Sequence, residues 1–88
     1  MPVVNLQQLA ELKMLYGKLM DSHQRTIELY EQLHSLVNDK EARHSFEKSI
    51  SVEKQHRDAS AMNYRETSGA VKHVSKLFAQ LWKEKYGD

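Results

Sequence analysis

Eighty-eight residues with 28% charged and 40% hydrophobic side chains, one proline and three glycines describe a single small helix-rich domain, not a disordered chain. A net charge of +1 gives nucleic acid no compositional case, and the lack of cysteine excludes disulfides, thiolate metal sites and cysteine catalysis. No apolar run approaches the roughly 18 residues of a membrane span, and no signal segment opens the chain, so a cytoplasmic protein without membrane contact is expected.

The opening "MPVV" reads as a tail, since an N-terminal proline catalyst would need a strand and a formed pocket around it. Asn5 then offers an N-cap, and Leu9, Leu12, Tyr16, Leu19, His23, Thr26, Tyr30, Leu33 and Val37 follow in alternating steps of three and four. That heptad seam predicts one helix over residues 6–37, about 48 Å long. Gly17 lies inside it at a cost of about 1 kcal/mol relative to Ala. "VNDKEA" is the clearest break: Asn38 can end a helix in a left-handed conformation, and Asn38 or Asp39 can cap the next.

A second helix is predicted over 39–66, with Phe46, Ile50, Ala59 and Met62 as apolar points. "ETSGAV" is a weaker break, because Thr67 or Ser68 can cap and Gly69 loosens the chain, yet no proline enforces a stop. Whether the chain turns there or runs through is left open by these residues. The expected third helix, 69–86, carries Val71, Val74, Leu77, Phe78, Leu81 and Trp82 on one face, with Lys72, Lys76 and Lys83 elsewhere.

Folding the first helix back at Asn38 pairs positions whose numbers sum to about 76, by equal rise along both helices. Tyr30 then meets Phe46, and His23 lies level with Glu53, with His56 one turn further on. A polar centre in a helical interface needs a cause, because an unsatisfied polar atom costs about 1–3 kcal/mol. Three remain open: the face is wet, His23 and Glu53 pair to set register, or the cluster His23, Glu53 and His56 binds a metal. A second Glu-x-x-His, Glu41 and His44, falls off the seam near a helix start, where a carboxylate suits the positive helix end.

The run "ELYEQLHSLVNDKEARHSFEKSISVEKQHRDA" resembles the helical hairpin of the rubrerythrin branch of the ferritin-like superfamily. Tyr30, the Asp39 turn, Phe46 and Glu53-x-x-His56 carry the likeness, over about half the chain. The resemblance implies a four-helix bundle built from two hairpins, and a metal site of Glu-x-x-His half-sites. Where that family's first helix supplies a Glu, about seven residues before the aromatic, this chain has His23. It also holds one hairpin, so a bundle would require self-association.

No Ser–His–Asp arrangement, phosphate loop or paired-carboxylate cleft is present, which makes a non-enzymatic role the expectation. His34 and His73 are expected on the surface, and the lysines of the last helix on a solvated face. The fold expected is all-α: a long antiparallel hairpin plus a third amphipathic helix, completing a coiled-coil-like bundle as a homo-oligomer. The leading functional expectation is an interaction protein that binds itself and a protein partner through Val71, Val74, Phe78, Leu81 and Trp82. The alternative is a ferritin-like metal protein whose site, between subunits, takes Fe or Zn.

Overall fold

The computed structural model describes residues 6–87, which form two antiparallel helices, α1 (Leu6–Leu36) and α2 (Lys40–Tyr86). The Asn5 cap and the "MPVV" tail lie outside the described residues. All regular structure among the described residues is α-helix, and none of it is long and apolar enough to cross a membrane. The molecule is a rod of 71 × 24 × 14 Å, its length set by the 47 residues of α2.

Asp39 makes the turn. Its extended backbone (φ −68°, ψ 127°) precedes α2, and its carboxylate accepts from the Ala42 amide at 2.9 Å, satisfying one of the unpaired donors of a helix start. Asn38 does not adopt the left-handed conformation the sequence allows, since no described residue has positive φ. Instead the end of α1 is closed from the other helix. The Arg43 guanidinium donates to the carbonyls of Val37 at 3.2 Å and His34 at 3.4 Å.

Residues 69–86 are helical as expected, but they do not form a separate third helix folded over the hairpin. They continue α2 without a break. The physical reason lies in the residues that might have capped a new helix. The Thr67 hydroxyl donates to the Asn63 carbonyl at 2.7 Å, an intrahelical bond, and Thr67 itself is buried against α1. Gly69 is in ordinary helical conformation with open space around its missing side chain. Without a proline, nothing stops the hydrogen-bond ladder there.

The expected register holds: Tyr30 and Phe46 pack at 6.0 Å between ring centroids, and His23 meets Glu53. The face of α1 is rotated relative to the expected seam, however. Its inner row is Leu9, Tyr16, Met20, His23, Ile27, Tyr30 and Val37, all buried or half-buried. Leu12, Leu19 and Leu33 of the expected seam are exposed. They join Leu15, Leu29 and Leu36 in a second row that contacts no part of α2 closely enough to be covered. What selects the rotation is the complement on α2. Tyr64 lies over Gly17, where a Cβ would sit 3.4 Å from its ring, and Arg57 reaches Gln24 at 2.7 Å.

The core is thin. Ile27, 1% exposed, is the one fully buried large side chain among the described residues. The chain leaves 7345 Å² accessible, where a compact monomer of its 10.3 kDa would leave about 5400 Å². Its radius of gyration of 20.2 Å likewise exceeds the roughly 12 Å of a compact domain this long.

Candidate functional site

The polar centre of the hairpin is built by equal steps from the turn. His23 on α1 and Glu53 on α2 come level, and Nδ1 of His23 lies 2.6 Å from Oε2 of Glu53, a short charge-assisted hydrogen bond with the ring nitrogen donating. Both side chains keep about a quarter of their surface, at 25% and 22%. Glu53 and His56 share a helix face three residues apart, which brings the His56 ring against His23, centroid to centroid 5.4 Å and edge-on at 62°. His56 is exposed, so the cluster is closed by α1 and α2 on its inner sides and open to water on one flank. Two of the readings open at the outset therefore coexist: a register-setting pair, and a wet face beside it.

One ligand atom from each of His23, Glu53 and His56 lies within 4.8 Å of the other two. Ligands held tetrahedrally at about 2.0–2.1 Å from one zinc ion are about 3.4 Å apart. The three side chains are neighbours, and to coordinate one ion they would draw closer together. Two imidazoles and one carboxylate suit Zn, Fe(II) or Mn, and would leave the outer coordination positions free. On the opposite flank Gln24 accepts from Arg57, so the carboxylate and the guanidinium of α2 are kept apart, each with its own partner on α1.

His34 departs from its expected surface position. It is turned across the hairpin end, 23% exposed, with Nε2 at 3.0 Å from Oε1 of Glu47. His44 approaches the other carboxylate oxygen at 3.8 Å, and Glu41 takes no part. The hydrogen bond from His34 holds the Glu47 carboxyl below its ordinary value of 4.5, opposed by some desolvation and helped by the charges of His34, His44 and Arg43. A carboxylate whose folded pKa is depressed stabilises the fold above its unfolded value, and that contribution is lost as pH falls through the lowered one. Urea midpoints measured from pH 6 to 3 should fall more gently in Glu47→Gln than in the wild type. Because Glu47 is exposed, added salt should shrink the difference.

Of the residues expected to bind a partner, Val71 and Val74 are half-buried. Phe78, Leu81 and Trp82 are exposed, Trp82 at 68%, and lie past the level at which the described part of α1 begins. Trp82 packs on Tyr86 with ring centroids 4.4 Å apart and the rings tilted by 44°. His73 is exposed, as expected. The feature that the expected seam obscured is the leucine row of α1, whose signal is the run of leucines at 12, 15, 19, 29, 33 and 36 in heptad steps.

Comparison with protein-family models, with curated proteins and with solved structures found no match to this chain.

Proposed function

We propose that this chain is a non-enzymatic interaction module that works by self-association and by offering the projecting end of α2 to a protein partner. The observation that supports it is the set of large apolar side chains left uncovered, the leucine row of α1 with Phe78, Leu81 and Trp82 of α2, on a chain whose total accessible area exceeds that of a compact protein of its mass by about 2000 Å². Covering exposed apolar side chains is worth roughly 25 cal/mol per Å² removed from water, which favours association through these residues.

Sedimentation equilibrium over the micromolar range is the first test, and a strict monomer would remove self-association. The single tryptophan makes the second test direct. Trp82 emission should shift to the blue when the tip is covered by a partner, and Phe78→Ala or Trp82→Ala should weaken capture at least tenfold. If neither variant changes any association, the tip is not the partner surface.

A second reading is favoured by the geometry of His23, Glu53 and His56: a metal-binding hairpin of ferritin-like type, with Fe or Zn shared between subunits. Its support is the convergence of the three ligand atoms within 4.8 Å. With Zn(II) at a hundredfold above Kd, stabilisation of about 2.7 kcal/mol is expected. Glu53→Ala and His56→Ala should each abolish that rise in Tm and the bound metal. Retention of stoichiometric metal by both variants would place it elsewhere on the chain.

A further inference from the structure

The leucine row runs Leu12, Leu15, Leu19, Ser22, Thr26, Leu29, Leu33 and Leu36. The steps alternate three and four, the a/d spacing of a coiled-coil seam, and the six leucines are between 39% and 77% exposed. At about 100° per residue, the row lies roughly a quarter-turn around α1 from the face that meets α2. It is a lateral stripe, exposed at every position except the half-buried Thr26.

The order of side chains in the row reads the same from both ends. Reversed about Gln24, Leu12 exchanges with Leu36, Leu15 with Leu33, Leu19 with Leu29, and Ser22 with Thr26. Each leucine falls on a leucine, and the two polar positions fall on each other. This is the condition for an isologous two-fold interface, in which residue i meets j and j meets i. One member of the polar pair is already satisfied within its own helix. The Thr26 hydroxyl already donates to the Ser22 carbonyl at 3.0 Å, so its methyl can face a neighbour without stranding a donor.

We propose that two copies of this chain pair through their leucine rows, α1 against α1 and antiparallel, about a two-fold axis level with Gln24. This rests on the self-association reading and specifies its partner, surface and register.

A parallel pair is the competing arrangement, and it is disfavoured because it would align the two helix dipoles, whereas the antiparallel pair opposes them. The neighbouring flank of α2 is an open groove, lined by Tyr30 together with Lys48, Ser49, Val52 and Glu53.

The chain has no cysteine, so introduced thiols report the register directly. Leu15→Cys and Leu33→Cys are made separately, oxidised alone and as an equimolar mixture, and resolved by mass. In the antiparallel register two copies of position 15 are about 27 Å apart along the axis, while 15 and 33 are level. A disulfide needs Cα atoms within about 7 Å. The expected result is a wild-type mass of twice 10.3 kDa, little product from either variant alone, and a dominant 15–33 disulfide from the mixture. Leu19→Asp should weaken dimerisation at least a hundredfold while the far-ultraviolet helical signal persists at high concentration. Dominant 15–15 and 33–33 disulfides in a true dimer would overturn the register alone, leaving self-association intact. A wild-type chain monomeric at all concentrations would overturn both, and would leave the row to a different protein.

Discussion

Ile27→Ala should unfold in urea with about 2–4 kcal/mol less stability than the wild type, the largest loss from any single apolar truncation in this chain. The side chain is 1% exposed and no other large apolar residue among the described ones is fully buried. Deleting its outer atoms removes their transfer energy and leaves a cavity between two long helices. Collapse around that cavity is resisted by the neighbours. Tyr30 is held against Phe46, and His23 is tied to Glu53, so the helices are pinned on both sides of the gap. Because association adds to apparent stability, wild type and variant must be compared at equal chain concentration. A loss below about 1 kcal/mol would mean that the hairpin is held together elsewhere. Leu15→Ala supplies the contrast, since within one chain its side chain is more than half exposed.

Gly69→Pro should cost about 3 kcal/mol or more in α2 and uncouple the residues that follow it, while Gly69→Ala should stabilise by about 0.5–1 kcal/mol. The opposite signs follow from one fact: α2 is a single helix through this position. Proline there removes a backbone donor and collides with the preceding turn. A Cβ alone meets nothing within 4 Å, so alanine gains helix propensity without a steric penalty. Circular dichroism reads both effects, and the proline variant should lose the helical signal of the projecting end while keeping the hairpin. Should Gly69→Pro leave the spectrum and midpoint unchanged, the chain bends at residues 67–69 in solution and α2 is two helices. Alanine at Gly17 is a finer comparison, because its Cβ would meet the Tyr64 ring at 3.4 Å, an ordinary van der Waals contact, and the propensity gain should be kept.

The hairpin itself was legible, because its determinants are local. Asp39 before a helical run is an N-cap wherever it occurs, and once the turn is placed, equal rise along both helices brings His23 level with Glu53. The fate of residues 67–69 was not. Threonine and serine bond to the backbone equally well as caps or as mid-helix hydroxyls, and the choice was made by burial of Thr67 against α1, a tertiary event. The rotation of α1 was hidden for a related reason. Two adjacent heptad rows are both apolar, and a periodicity argument cannot rank Leu12 and Leu19 above Met20 and Ile27. Gly17 beneath Tyr64 and Gln24 opposite Arg57 decide it, and those pairings exist only once α2 is in place. Of the metal-capable cluster, the identities and levels of the three side chains could be read in advance. The outward turn of His56, which leaves the cluster accessible, could not.

The unbroken course of α2 has a mechanical side. Trp82 sits about 39 Å along the same rod from His56, with no hinge between them to absorb a twist. The two ends therefore keep a fixed rotational phase, so that whatever direction Trp82 faces is set by the same helix that aims His56.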